Sequence, residues 1–372
     1  MRLEDVEFID EKEEQERDYP KKSKGTKVFF FTGLVLFLIS ATILAGVFLY
    51  MGNDSLFRKS EPEEVIPPEE LPVYTEADMQ AKIEAVSVEA KEKGYSEGVS
   101  EMKETLRNAS LEDSGVLMLL RDYFGENMIF TYGSKFEYFP INHELAPNTI
   151  NNDFLVLDEE SGIITYEPDG QKTSHLCVDV SSFQQKINWK TVKAAGVEYA
   201  MIRCALRGYG TGKVVEDKYF YENIEGALDA GIKVGVYFYS QAISAEEARE
   251  EVRFLLEMIE PYDIKLPVAI DVEEVNDTAR TDNLTSDERT DISVAFMEAV
   301  KEAGYTPMIY SNLKYFFKHL NVDKLEGYEK WYAFYNDEIY YPYEISMWQY
   351  TANGKINGIP TAVDLNVCFK DY

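Results

Sequence analysis

Histidine, cysteine and tryptophan each occur only three times in this chain of 372 residues, and basic side chains are outnumbered, 37 against 67 acidic ones. Each shortage excludes something. The histidines, His143, His175 and His319, are scattered, and the cysteines, Cys177, Cys204 and Cys368, match no metal-ligand spacing. No metal or other cofactor is therefore expected. An odd cysteine count rules out a fully paired disulfide framework within one chain. Each cysteine lies in an apolar, strand-like run, which favours buried thiols and leaves open one bridge between neighbouring strands. The formal net charge of −30 leaves no basic stripe to neutralise phosphates, so nucleic acid is excluded as a partner. Aromatic residues are plentiful, with 26 Tyr and 21 Phe. Tyr-rich clefts suit carbohydrate, because ring faces stack on sugars while hydroxyls hydrogen-bond, although many of these rings must be ordinary core.

The chain divides by composition. Residues 1–27 are a polar tail, acidic from Glu4 to Asp18 and then basic at Lys21, Lys22, Lys24 and Lys27. Residues 28–51 carry no charge over 24 positions, enough to cross a bilayer of about 30 Å. This run is longer than a secretory signal core, and Leu49-Tyr50-Met51 makes a poor cleavage site, so a transmembrane signal anchor is expected. The lysines before it place the tail in the cytoplasm and the rest of the chain outside the cell membrane. Residues 52–109 read as a proline-rich linker followed by a helical stalk over 76–107, weakened by Gly94 and Gly98. Residues 110–174 read as a small α+β accessory unit, with a helix from Val116 to Tyr123 and strands over 128–132, 154–157 and 163–166.

From residue 175 to 372 the pattern becomes regular. Strand-like runs fall at 176–180, 198–204, 232–239, 266–272, 306–310, 330–334, 345–349 and 362–367. Helical stretches near 188–195, 217–230, 244–260 and 286–303 separate the early ones. Eight strands with helical crossovers indicate a parallel (β/α) barrel, irregular where the later connections are too short for full helices. Ala269-Ile-Asp271-Val-Glu273 ends the fourth strand, and residues two apart on a strand share a face, so its two carboxylates should project together. Asp179 lies near the end of the first strand and Asp364 on the eighth. First and eighth strands are neighbours in a closed barrel, whose catalytic groups sit at strand C-termini. Singly, each has an ordinary structural explanation, a solvated acidic turn continued by Glu274 for Asp271 and Glu273, a turn cap for Asp179 and a lysine pair for Asp364; together the four can converge on one pocket.

These residues also match a family pattern. Asp179-Val-Ser-Ser-Phe-Gln184 resembles the opening of the family 25 glycoside hydrolases, the muramidase-type lysozymes. Ile187-Asn-Trp189, Met201-Ile-Arg203, Arg207-Gly-Tyr-Gly-Thr-Gly212 and Val234-Gly-Val-Tyr-Phe-Tyr-Ser240 follow in order. Asp271-Val-Glu273, Ala303-Gly-Tyr305, Met347-Trp-Gln-Tyr-Thr351 and Val363-Asp-Leu-Asn366 complete the series, with Cys177 standing where the family usually has glycine. The resemblance implies hydrolysis of the β-1,4 bond between N-acetylmuramic acid and N-acetylglucosamine in peptidoglycan. It implies Glu273 as the general acid, needing a raised pKa that nearby carboxylates would help supply. Asp271 would orient or stabilise the substrate N-acetyl group during internal attack, and Asp179 and Asp364 would complete the acidic shell. Tyr237, Tyr310, Tyr335 and Trp348 are candidates for lining the sugar subsites.

The expectation is a membrane-anchored muramidase acting on peptidoglycan glycan strands. A wall-binding scaffold that has lost turnover, or another N-acetyl-assisted glycosidase such as a chitinase, are the alternatives. The tail and the 110–174 unit are the candidate contacts for envelope protein partners.

Overall fold

The structure, a computed structural model, describes residues 76–108, 113–275 and 277–372. The expected tail, the anchor at 28–51 and the proline-rich linker lie outside the described residues. Among the described residues, no helix is long and apolar enough to cross a membrane. Two compact units are present, and each is taken by itself. The first contains helix α1 (Glu76–Asn108), 33 residues long and running through Gly94 and Gly98. Its Ala, Glu and Lys are strong helix formers. Its apolar side chains at Ile83, Val86, Val88 and Tyr95 are exposed.

The second unit opens with α2 (Asp113–Tyr123), the strands β1 (Asn127–Tyr132) and β2 (Lys135–Pro140), then β3 (Leu155–Asp158) and β4 (Ile163–Tyr166). β1 and β2 form an antiparallel hairpin pairing Tyr132 with Lys135. Its two-residue turn places Gly133 at φ +58°, a conformation glycine adopts without a Cβ clash. Met128, Phe130 and Ile164 are buried in the same hydrophobic cluster as the barrel's outer layer.

Next come β5 (His175–Val180), α3 (Trp189–Ala194), β6 (Tyr199–Arg207), β7 (Val214–Glu216), α4 (Phe220–Asp229), β8 (Lys233–Tyr239) and α5 (Ala245–Ile259). They are followed by β9 (Val268–Asp271), α6 (Ser286–Glu302), β10 (Pro307–Asn312), α7 (Leu313–Lys318), β11 (Glu329–Ala333), β12 (Met347–Gly354) and β13 (Val363–Cys368). Local chemistry sets the helix starts. Ser244 caps α5 by accepting from Glu247 N, with Glu246 and Glu247 in the first turn. Thr285 and Glu288 form a reciprocal capping box on α6. On α5, Ala248, Val252, Leu255 and Ile259 recur at helical spacing and form its buried stripe.

Eight strands, in the order β5, β6, β8, β9, β10, β11, β12, β13, close through β13–β5 pairing. β7 pairs antiparallel on β6, outside that ring. The fully parallel barrel expected from the sequence needs one correction. β13 runs antiparallel to both β12 and β5, because only a short hairpin connection joins it to β12. That reversal decides where Asp364 goes. It lies at the start of β13, yet it stands opposite Asp179 near the end of β5, at the end of the barrel where the parallel strands finish.

Period-two alternation sorts the strands' side chains. Val178, Val180, Ile202, Val236, Phe238, Ile270, Ile309, Tyr332, Trp348 and Leu365 belong to the cluster beneath the helices. Cys177, Met201, Tyr237, Ala269, Met308, Tyr310, Trp331, Ala333, Met347 and Cys368 form a second cluster inside the barrel. The three cysteines are buried free thiols. Gly235 faces the interior, where a Cβ would meet Met201 Sδ at 2.6 Å and the Pro267 carbonyl oxygen at 2.7 Å. Gly235→Ala is expected to destabilise the protein by about 1–3 kcal/mol, read as a lowered Tm, since that carbonyl cannot swing aside. An unchanged Tm would show that the interior relaxes around the added methyl.

Candidate active site

At the end of the barrel where the parallel strands finish, the inward positions turn from apolar to polar. Asp179 on β5, Asp271 on β9 and Asp364 on β13 are each 6% exposed. All three follow the inward parity of their strands. β9 ends at Asp271, so Glu273 lies just past the regular strand, half-buried. The extended path continues one residue further: Val272 N donates to Tyr310 O at 3.2 Å, and Ser311 Oγ donates to Val272 O at 2.6 Å.

Gln349 organises the pocket. Its Oε1 accepts from both Tyr310 OH and Tyr335 OH, each at 2.9 Å, while its Nε2 donates to Asp179 Oδ2 at 3.0 Å. Asn366 Nδ2 donates to the same carboxylate oxygen at 2.8 Å, and Asn366 Oδ1 accepts from Trp331 Nε1 at 2.7 Å. Two branches therefore converge on Asp179, one from the tyrosine hydroxyls through Gln349 and one from the Trp331 indole through Asn366. Two donors on one oxygen fix the orientation of the carboxylate.

The tyrosines report which charges share this space. Burial pushes the Tyr310 phenol well up, and the charges of Glu273, Asp271 and Asp179 push the same way. Tyr335 is also raised by burial, then by Asp364, Glu273 and Asp179. For Tyr237, burial leads, Arg203 opposes it, and Asp179 and Asp271 add to it. All four predicted acids thus bear on this group of tyrosines, of which Tyr310 and Tyr335 donate to Gln349.

A buried cation balances the acids. Arg203, 5% exposed on β6, donates through Nε to Asp217 Oδ2 at 2.9 Å and through Nη2 to Ser182 Oγ at 3.1 Å. Ser182 N also donates to Asp217 Oδ2 at 3.0 Å, tying the β5–α3 turn to the pair. Burial works against the Arg203 charge, but Tyr237, Asp217 and Asp271 outweigh it and raise its pKa. Among the described residues, no three His, Cys, Asp or Glu side chains are grouped to hold a metal ion.

Of the aromatic candidates, Tyr237, Tyr310 and Tyr335 line this pocket. Trp348 does not. It is fully buried, belongs to the outer cluster, and donates its Nε1 to Phe334 O at 2.9 Å. The reason is parity: Gln349 points inward, so Trp348 must point the other way. Gln349, Asn366 and Arg203 are parts of the site that sequence reasoning left without roles. Each sits inside one of the strings quoted from the sequence, but neither a neutral amide nor a lone arginine announces a role until its partners are brought to it.

A barrel with carboxylates gathered at the strand ends, beside tyrosine hydroxyls, is an arrangement suited to acid and base work on a glycosidic bond. Residues 178–359, most of the barrel, match the family described as glycosyl hydrolases family 25. The chain is 26% identical over 197 residues to the uncharacterized protein YegX of Escherichia coli, covering 51% of this chain and 68% of that one. It is 25% identical over 195 residues to the autolytic lysozyme of Clostridium acetobutylicum, covering 51% of this chain and 54% of that protein. Among solved structures, it resembles the modular autolysin LytC of Streptococcus pneumoniae in complex with a synthetic peptidoglycan ligand. That match has a TM-score of 0.48 at 22% identity and covers 65% of this chain and 56% of the other. A family 25 glycosyl hydrolase of Bacillus anthracis matches with a TM-score of 0.43 at 23% identity, over 53% of this chain and 89% of that one.

Proposed function

We propose that this protein is a peptidoglycan hydrolase that cuts the β-1,4 bond between N-acetylmuramic acid and N-acetylglucosamine. Residues 28–51 would anchor it in the cell membrane, with the tail in the cytoplasm and the barrel outside. The observation that carries the enzymatic reading is geometric: Asp364 stands opposite Asp179 and Asp271 opposite Tyr310, and Gln349 joins the Asp179 carboxylate to the Tyr310 and Tyr335 hydroxyls. An uncharged run flanked by lysines supports the anchor.

In the proposed reaction Glu273, just past β9, protonates the departing glycosidic oxygen. The substrate's own N-acetyl carbonyl oxygen attacks the anomeric carbon as that bond breaks, closing an oxazolinium ring. Asp271 holds the N–H of that group and stabilises the positive charge that develops there. Water then opens the ring at the anomeric carbon, giving its proton to the Glu273 carboxylate, and the configuration is retained. Asp179 is locked by Gln349 and Asn366 and keeps the base of the pocket negative. Tyr335, half-buried and bonded to Gln349, is the tyrosine placed to reach a sugar.

The test is the identity of the new reducing end. Full-length protein incubated with wall glycan should release muropeptides ending in reducing N-acetylmuramic acid, read by mass spectrometry after borohydride reduction. Reducing N-acetylglucosamine would contradict the assigned bond. Binding to the wall without release would transfer the reading to a scaffold.

A further inference from the structure

The β1–β2 hairpin precedes the stretch that matches the family, yet it reaches the loop that carries Glu273. Phe130 and Tyr132, two apart on β1, face the same side. The Phe130 ring stacks on Phe139 at 5.3 Å and lies 6.3 Å from Phe317 on α7. Tyr132 OH donates to Glu274 Oε1 at 2.9 Å. The Lys318 ammonium sits 3.4 Å from the centre of the Tyr132 ring and 3.5 Å from Glu137 Oε1 on β2. His319 Nε2 lies 3.9 Å from the same Glu274 oxygen.

The same segment also holds the loop between β11 and β12, whose first residues carry Tyr335. Ile129 N donates to Tyr340 OH at 3.0 Å, and the Arg121 guanidinium covers that ring at 3.5 Å. Asn152 and Ile339 exchange two hydrogen bonds, each of 3.0 Å. Two loops of the catalytic face are therefore tied to residues outside the family match.

We propose that Tyr132 is a positioning residue for Glu273, and that the hairpin is a working wall of the hydrolase module rather than a spacer. The proposal rests on Glu273 being the general acid of the proposed function. Regular pairing on β9 ends at Asp271, and the chain leaves the barrel over the next residues. Tyr132 grips the residue directly after Glu273, fixing the backbone on its far side. Small displacements of a reacting group carry large rate penalties, of about 10²-fold for 1 Å.

The experiment uses full-length protein carrying Tyr132→Phe, Glu274→Ala or both. It compares kcat and KM on wall glycan, Tm, and hydrogen exchange of peptides spanning 272–278. Tyr132→Phe removes one oxygen and keeps the ring under Lys318, so the fold should survive. Each single variant should lose about tenfold in kcat, with KM changed less than about twofold and faster exchange over 272–278. The double variant should be no slower than either single one, because both remove the same contact. Unchanged kcat and exchange in Tyr132→Phe, or fully additive losses in the double variant, would overturn the proposal. Exchange needs no turnover. Faster exchange in an enzyme whose wild type is inactive would thus count against the hydrolase reading and leave the Tyr132–Glu274 grip standing.

Discussion

Glu273→Gln should reduce kcat on wall glycan by about 10²–10⁴-fold, the range that general acid catalysis supplies. Glutamine keeps the shape of the side chain and its capacity to accept hydrogen bonds, but has no carboxyl proton to give. The position is half-buried and lies past the end of β9, so Tm should move little. The loss should fall in kcat with KM nearly unchanged, since a proton delivered to the leaving oxygen is an interaction of the transition state. A substrate with a highly acidic leaving group, which departs without protonation, should recover much of the rate. Near-normal turnover of wall glycan by this variant would remove Glu273 from the role of acid.

Asp271→Asn carries the second large effect, a loss of about 10²–10³-fold in kcat. The change preserves size while removing the negative charge that would face the oxazolinium nitrogen. Arg203, already charged and paired with Asp217, would then face a less negative pocket, so KM for the neutral part of the glycan should change little. Discrimination comes from the substrate. Glycan whose N-acetyl groups have been removed cannot form the ring, so wild type should cleave it slowly. Asp271→Asn should then cost little more on that substrate. An equal penalty for the variant on acetylated and deacetylated glycan would show that Asp271 does not act through the N-acetyl group.

The acids were legible before the fold because their chemistry and spacing survive projection onto a line. Asp271 and Glu273 announce a shared direction, and apolar runs ending in Asp179 and Asp271 announce strand ends. What the line does not carry is strand direction. Asp364 at the start of β13 belongs with the others only because that strand is reversed, and nothing in Val363-Asp-Leu-Asn366 encodes the reversal. Trp348 was misplaced for a related reason. Strands of a barrel are buried on both faces, so Met347 and Trp348 look equally inward until Gln349 fixes the parity. The Gln349 relay joins side chains from 14 to 170 positions apart, and the Tyr132 grip spans 142. Contacts at such separations leave no periodic trace. β2 was missed for another reason: Phe136 and Tyr138 are exposed, so it lacks the apolar run that marks a core strand.

The central claim is that the acid cluster at the barrel's end cleaves a glycan with help from the substrate's own N-acetyl group. Proton NMR of the first product formed by the full-length protein tests it most directly, before mutarotation mixes the anomers. The account predicts that the new reducing N-acetylmuramic acid first appears as the β-anomer, retained from the β-linked substrate. An α-anomer appearing first would mean direct displacement by water and would contradict both the N-acetyl role given to Asp271 and the part of Glu273 in taking the proton of the ring-opening water.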